Sequence, residues 1–342
     1  MHILTLPTDL LAAIETALAT VPAARWLNEA QALSARYRGD RAAPGPLVSG
    51  HPAALGYAAL ILPATYAQLH GAMRATAARA PHWQPRSVLD LGSGPGTALW
   101  AALAQWPSLQ TLAAWEREPA FIALGQALAR TATAAPLRAI AWQRVDLAAA
   151  AQAVAQSAPY DLVILGHVLN ELAPAAQAAV VDLAWRLTSG VLLIVEPGTS
   201  AAFPLVRAAR DQVLGQAAHT LAPCVHDLPC PLRDEWCHFP QRLHRPAFQR
   251  RARNAPSEWE DSKFSYAALA RFAPAAPLWG RVINEPTSNK AYAEAMISTT
   301  AQVARYRGWK RYKARFRQVK DLTWGTALPD ALPADLEIVP VS

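Results

Sequence analysis

The chain has 342 residues, 52% of them hydrophobic and 17% charged, a balance that excludes intrinsic disorder and leaves room for two or three domains. No apolar run approaches the ~18 residues needed to cross a bilayer, and Met1-His2-Ile3-Leu4-Thr5 lacks the basic and apolar stretches of a secretory leader, so neither a membrane span nor secretion is expected. The 32 Lys and Arg against 25 Asp and Glu give a net charge of +7, which points to a polyanionic partner, and 3 cysteines, an odd number, exclude a fully paired disulfide framework.

Residues 1–82 read as a helical N-terminal cap. Leu10, Leu11, Ile14, Leu18 and Val21 recur at helical spacing, as do Leu62, Tyr66, Leu69 and Met73. Between these runs, Arg38-Gly39-Asp40 to Gly45-Pro46 reads as a loop. From residue 83 to 215 short apolar runs alternate with helical segments. The predicted strands are Ser87–Leu91, Leu109–Trp115, Pro136–Gln143, Tyr160–Leu165 and Val191–Glu196; the predicted helices are Thr97–Gln105, Pro119–Thr131, Leu147–Ala155 and Pro174–Arg186. Such alternation predicts an α/β, doubly wound parallel sheet of the Rossmann-like type, whose ligands bind beyond the carboxyl ends of the strands. After residue 215 the alternation is lost. Residues 222–246 show little periodicity and 247–272 look partly helical. Short strands follow at Arg281–Ile283 and Tyr292–Thr299, then a basic amphipathic segment ending near Asp321. Residues 216–342 therefore read as a Cys-rich and basic α+β region.

Within the first strand and the turn after it, Asp90 precedes Gly92-Ser93-Gly94-Pro95-Gly96. The glycines allow a sharp turn and close backbone approach to a ligand, and the following helix adds its positive end. Dinucleotide-binding folds use a similar loop, but usually spaced G-x-G-x-x-G. A carboxylate at Asp90 would repel a pyrophosphate and attract the ammonium of a methionine moiety. The reading is therefore S-adenosylmethionine (SAM) rather than NAD. Glu116, ending the second strand, suits the ribose hydroxyls. Asp146 is in reach of an adenine amine, or else caps the next helix. The fourth strand runs into Gly166-His167-Val168-Leu169-Asn170-Glu171, which makes His167, Asn170 and Glu171 the polar candidates at the methyl end.

Cys224, Cys230 and Cys237, the only cysteines, lie within fourteen residues and beside His226 and His238. Three thiolates suit zinc with a fourth ligand or an iron–sulfur cluster, and C-x5-C-x6-C is longer than the usual zinc-ribbon spacing. Farther on, Arg305, Arg307, Lys310, Arg311, Lys313, Arg315, Arg317 and Lys320 are eight cations with no acid among them. Tyr306, Trp309, Tyr312 and Phe316 interleave with them, a pattern that suits RNA through phosphate contacts and base stacking. A second basic run, Arg242, Arg245, Arg250, Arg251 and Arg253, follows the cysteines.

Leu-Pro-Ala-Thr-Tyr at 62–66, the loop at 89–97, His167-Val-Leu-Asn170-Glu171-Leu and Val195-Glu196-Pro197-Gly198-Thr199 carry a family resemblance. So do the cysteine loop through Trp236-Cys237-His238-Phe239, and Glu260-Asp261-Ser-Lys263-Phe264-Ser265-Tyr266. Over nearly its whole length the chain resembles the methyltransferase-like proteins of the mitochondrial small ribosomal subunit and their bacterial homologues. The resemblance implies a class I SAM-methyltransferase fold, a [4Fe-4S] cluster and work on the small ribosomal subunit and its rRNA, either as a methyltransferase or as an inactive assembly factor. It further implies a cytoplasmic place for a bacterial member, the mitochondrial matrix for eukaryotic relatives, and a monomer. The family has a fourth cysteine soon after the Gly280–Ile283 segment, where this sequence has Ser298. That leaves Ser298, His226, His238 or no side chain of this protein as the fourth cluster ligand. Base-methylation signatures are missing: no Asn-Pro-Pro-Tyr and no cysteine follows the fourth strand. The C-x3-C-x2-C loop usual in radical SAM chemistry is absent as well.

Overall fold

In the computed structural model, residues 3–38, 48–153 and 158–341 are described. Helix α1 (Thr8–Leu18) buries Leu10, Ala13, Ile14 and Leu18, the spacing seen in the sequence. It is followed by α2 (Ala23–Arg38), α3 (His51–Leu60) and α4 (Leu62–Ala77), the last two each starting with a proline in the first turn. Helix α4 is buried almost all round, as a helix covered on several sides must be. At Gly56 an added Cβ would stand 2.8 Å from the Ala30 nitrogen, so only glycine lets α2 and α3 meet backbone to backbone. The loop predicted at 38–46 falls, from residue 39 on, outside the described residues.

The chain then alternates: β1 (Ser87–Leu91), α5 (Thr97–Gln105), β2 (Thr111–Glu116), α6 (Pro119–Arg130), α7 (Ala135–Arg138), β3 (Ala141–Arg144), α8 (Leu147–Ala153), β4 (Tyr160–Gly166), α9 (Pro174–Arg186), β5 (Thr188–Pro197) and α10 (Phe203–Leu214). Strands β6 (His219–Ala222), β7 (Phe239–His244) and β8 (Trp259–Ala270), with α11 (Ala247–Arg253) between the last two, join the same eight-stranded sheet. Its order is β3-β2-β1-β4-β5-β8-β6, with β7 also on β8. Strands β1 to β5 are parallel, and β8 runs antiparallel to β5, β6 and β7. Side chains alternate strictly between two cores. Val88, Leu162, Ile164 and Leu193 enter one; Leu89, Val163, Leu165 and Leu192 enter the other.

Three expectations are corrected here. The segment predicted as a strand from Pro136 opens instead as α7, and the strand itself is a short, largely exposed edge at Ala141–Arg144. The partly helical reading of 247–272 holds only for α11. Trp259–Ala270 is a twelve-residue strand whose Ala267-Ala268-Leu269-Ala270 run is fully buried, and a short apolar run of that kind does not reveal its period. Residues 222–246, read as aperiodic, contain β7, which alternates buried and half-buried. The sheet thus continues well past residue 215.

A second, six-stranded antiparallel sheet follows. It is made of β9 (Gly280–Val282), β10 (Thr287–Ser288), β11 (Tyr292–Thr299), β12 (Val303–Trp309), β13 (Ala327–Leu328) and β14 (Glu337–Pro340), with α12 (Lys313–Lys320) after β12. Val282, Ala293, Ala295, Ile297, Ala304 and Val319 form its own core. From its other face Met296 and Val303 join the main core. The predicted basic amphipathic segment is therefore a strand followed by a short helix. No single helix among the described residues is long and apolar enough to cross a membrane.

Candidate functional site

The glycine loop leaves β1 and is tied to β2, because the Gly92 and Ser93 nitrogens both donate to the Trp115 carbonyl, at 2.8 and 3.0 Å. Gly92, Gly94 and Gly96 all have positive φ, at 72°, 54° and 81°, a region that L side chains rarely enter. At Gly92 an added Cβ would lie 2.7 Å from Val168 Cγ2, whereas at Gly94 it would meet nothing within 4 Å. The reason is that Gly94 borders a cavity of about 280 Å³ beyond the carboxyl ends of the strands. Gly92, Gly94, Glu116, Asp146, His167, Asn170 and Glu171 line it, and the helical cap roofs it with Arg36 and Tyr57. The Tyr57 ring stands edge-on to Phe121, 4.8 Å away, and Phe121 also lines the cavity. Asp90, Ser93 and Gly96, expected at the same ligand, lie behind this wall rather than on it.

Two buried carboxyls, Asp90 behind the wall and Glu116 on it, set the electrostatics of this end of the cavity. Asp90 is buried and its Oδ2 has no hydrogen-bond partner. Burial, and secondarily the charge of Glu116, raise its pKa from 3.8 to about 8. Glu116 is buried too, and burial again pushes its pKa up. Its Oε2 accepts from Gly94 N at 2.7 Å and its Oε1 from Glu118 N at 2.8 Å. Asp146 lines the cavity while its Oδ1 accepts from Ala148 N at 3.0 Å, the helix-capping role weighed in the sequence.

At the opposite end, His167 holds a φ of 63°, rare for a side chain with a Cβ, and its nitrogen donates to Val195 O at 2.7 Å. Asn170 and Glu171 sit on a single 3-10 turn, Leu169–Glu171. That turn rests on a residue the sequence reading did not single out: Glu196, at the end of β5. Glu196 Oε1 accepts from Leu169 N at 2.8 Å and Oε2 from Asn170 Nδ2 at 2.5 Å. It is fully buried, and burial raises its pKa from 4.5 to about 8. The signal was present, since Glu196 and Asp90 each stand one residue before the end of their strands and Glu116 ends its own.

Cys224 and Cys230 are half-buried and Cys237 is buried. Burial raises Cys230, helped by the charge of Cys224, and raises Cys237 further, helped by both others. Among the described residues, no three His, Cys, Asp or Glu side chains come close enough to hold a single metal ion. His226 Nδ1 accepts from Leu228 N at 3.1 Å, and His238 is stacked on Trp236 with its edge contact to Trp324. Ser265 Oγ donates to the Cys237 carbonyl at 2.7 Å.

The basic segment divides in two. Arg305 pairs with Glu235 and Glu294, Arg307 with Glu294 at 2.7 Å and Glu337 at 3.5 Å, and Arg315 with Asp335 at 2.8 Å. These three of the eight expected RNA contacts are structural ion pairs. Lys310, Arg311, Lys313, Arg317 and Lys320 are exposed and have no carboxylate partner among the described residues. Of the interleaved aromatics, Tyr306 and Phe316 pack in the core of the small sheet. Trp309 and Tyr312 remain outside it, with the Arg311 guanidinium 5.5 and 5.1 Å from their rings. The earlier basic run is largely neutralised: Arg242 pairs with Asp261, Arg245 and Arg253 with Glu260, and Arg250 with Glu258.

The profile of the family described as mitochondrial small ribosomal subunit Rsm22 matches residues 51–329. The ribosome assembly protein METTL17, mitochondrial, of Homo sapiens is 29% identical over 302 residues, covering 82% of this chain and 63% of that protein. Rsm22-cox11 tandem protein 2, mitochondrial, of Schizosaccharomyces pombe is 25% identical over 211 residues, covering 54% of this chain and 27% of that protein. The chain thus spans less than two thirds of either relative. Among solved structures, an O-methyltransferase family protein from Burkholderia thailandensis superposes with a TM-score of 0.40 at 15% identity, covering 71% of this chain and 63% of that one.

Proposed function

This chain belongs to the Rsm22 family, and from that premise we propose that it binds SAM in the cavity at the glycine loop and acts on the small ribosomal subunit, with rRNA as its partner. The observation that carries the reading is the pair of buried carboxylates, Asp90 and Glu116, behind and beside a positive-φ glycine loop at the mouths of β1 and β2. A site of that kind disfavours phosphates and favours a ligand bearing positive charge.

SAM supplies a methyl group activated by its sulfonium. The residues of the chain do the rest. Gly94 lets a ligand approach the backbone, and Glu116 presents its remaining lone pairs to ribose hydroxyls. His167 and Asn170 form the polar end where an acceptor would enter. Positioning is the main contribution such a site makes to methyl transfer.

The second reading is an assembly factor that keeps the pocket without catalysis. It is favoured by Asn170, whose amide nitrogen is committed to Glu196. Calorimetry with SAM, then transfer of labelled methyl to isolated small subunits, separates the two. Binding with transfer supports the enzyme, binding without transfer supports the factor, and no binding removes the SAM reading.

The proposal includes a [4Fe-4S] cluster held by Cys224, Cys230 and Cys237. What supports it is that all three cysteines of the chain lie on the one segment between β6 and β7 and that the charge of Cys224 acts on both other thiols. The chemistry it supplies there is cross-linking, because metal binding is coupled to folding. The exposed cations Lys310, Arg311, Lys313, Arg317 and Lys320, next to Trp309 and Tyr312, are the proposed rRNA contact.

A further inference from the structure

Trp236 is 40% exposed, although tryptophan is a side chain that folding normally covers for the most part. It is nonetheless held in place. Its Nε1 donates to the Gly198 carbonyl at 3.3 Å, and both chain neighbours are tied down: Glu235 pairs with Arg305, and the Cys237 carbonyl accepts from Ser265 Oγ at 2.7 Å. The ring is stacked on the half-buried His238, 5.4 Å between centroids and 16° between planes. His238 in turn stands edge to face with Trp324, at 4.7 Å and 78°. What stays open is a flat aromatic surface with a rigid backing.

A cation completes the group. Lys263 of β8 is exposed, and its Nζ lies 5.6 Å from the centroid of the Trp324 ring. The nearby Asp261 is engaged by Arg242 at 2.7 Å, and Lys263 forms no ion pair of its own among the described residues. Trp236 and His238 come from the segment between β6 and β7, Lys263 from β8, and Trp324 from the turn after α12. Three separate parts of the chain thus converge here, which a stray surface tryptophan does not require.

Gly198 fixes where the group stands. Its carbonyl takes the Trp236 indole and its nitrogen donates to the Lys263 carbonyl at 3.0 Å. Two residues before it in the chain is Glu196, which holds Asn170 at the cavity. The group therefore lies at the carboxyl end of β5, on the same edge of the main sheet as the cavity.

We propose that Trp236, His238, Lys263 and Trp324 form a docking surface for an unpaired nucleotide of single-stranded RNA, the base stacking on Trp236 and a phosphate meeting Lys263; this rests on the RNA reading above. A nucleotide carries a planar ring and a negative charge in one unit, which is the pairing this surface offers in complement. An apolar protein patch would cover the ring and leave the Lys263 ammonium desolvated without a counter-charge. The surface differs in kind from the exposed cations between Lys310 and Lys320, since it grips a base as well as the backbone.

The experiment uses the full-length protein and a short single-stranded RNA carrying 2-aminopurine at each position in turn, a base whose fluorescence falls when it stacks. Affinity and quenching are measured over a range of salt for the wild type, Trp236→Ala, Trp236→Phe and Lys263→Met, with binding to isolated small subunits in parallel. Thermal melts confirm that each variant is folded. Trp236→Ala is expected to weaken RNA affinity by about 5- to 100-fold and to lose quenching, with the salt slope unchanged, because stacking releases no counterions. Trp236→Phe keeps a stacking face and should retain most of both. Lys263→Met should make the slope shallower by about 0.7, one phosphate's share on a single strand.

Wild-type affinity and quenching in Trp236→Ala, or a folded Trp236→Phe that binds as poorly as Trp236→Ala, would overturn the stacking role. RNA bound by the wild type without quenching at any position overturns it with no variant needed. An unchanged slope in Lys263→Met removes the phosphate contact. Unchanged RNA affinity with weakened binding to small subunits would make a ribosomal protein the occupant instead. A wild type that binds no RNA removes the RNA reading itself, whereas RNA binding that survives all three substitutions removes this surface alone.

Discussion

Asn170 Nδ2 donates to Glu196 Oε2 across 2.5 Å, and that one contact decides which end of the amide faces the cavity. With its nitrogen held from behind, Asn170 offers its carbonyl oxygen to whatever enters, an acceptor suited to an N–H group. Glu196 also takes the Leu169 nitrogen, so one carboxyl orders the whole turn that bears the polar candidates.

Glu196→Ala should therefore destabilise the protein by about 2–4 kcal/mol, the loss of two buried hydrogen bonds with their partners left unpaired. Glu196→Gln keeps the shape, and its amide oxygen can take only one of the two donors well, so a smaller loss is expected. Urea unfolding of both variants checks the order. Equal stability of Glu196→Ala and the wild type would show that the turn does not depend on this residue.

Stability should fall as pH rises from about 4 to about 8. Asp90 and Glu196 have folded pKa values near 8 against 3.8 and 4.5 when unperturbed. Across that window the folded state keeps protons that the unfolded state has released, and the stabilisation present below pH 4 is lost as the folded groups ionise. Denaturation midpoints at pH 5, 7 and 9 are expected to decrease in that order. A rise from 5 to 7 would contradict the burial of these two carboxyls.

SAM binding at neutral pH should release protons. A cationic ligand near Asp90 favours its carboxylate, so a group that is protonated in the free protein ionises on binding. Calorimetric enthalpies measured in buffers of different ionisation heat should then diverge. Identical enthalpies in phosphate and Tris would remove Asp90 from the ligand's surroundings.

The loop glycines should fail in different ways. Gly94→Val puts its side chain into open cavity space, and abolished SAM binding with a modest stability loss of about 1–2 kcal/mol for the left-handed backbone is expected. Gly92→Ala drives a methyl against Val168 and should lower the melting temperature more. SAM affinity unchanged in Gly94→Val would sink the site.

If Lys310, Arg311, Lys313, Arg317 and Lys320 all meet phosphates, the logarithm of RNA affinity should fall against the logarithm of salt with a slope of roughly −3.5 to −4.5. Alanine at Arg311, Lys313 and Arg317 should flatten it. Alanine at Arg305 and Arg307 should instead cost stability, since both answer the largely buried Glu294. A slope that responds only to Arg305 and Arg307 would reverse the division.

What the sequence made legible was local. The glycine loop, the Asp90 strand and the helices starting at Pro119 and Pro174 announce themselves within a dozen residues, through turn chemistry and period. What it hid was pairing at a distance. Arg305 and Arg307 look like free cations until β12 lies beside β11 and sets Glu294 opposite Arg307. Glu196 looks like a strand terminus until the turn after β4 folds back onto it. Trp259–Ala270 hides its strand because both faces of its second half, residues 264–270, are covered, which removes the polar alternation that would have betrayed it.

Strand β8 has one more consequence. Its far edge is shared by β6 and β7, so the thiol-bearing segment begins and ends on the same strand whose near edge carries β5. On that near edge Ser265 lies opposite Glu196, and Ser265 Oγ holds the Cys237 carbonyl. Two residues in register thus splice the cysteine-bearing segment to the carboxyl that holds Asn170 at the cavity. Whatever loosens the thiols should register, through that splice, as a blurred Asn170.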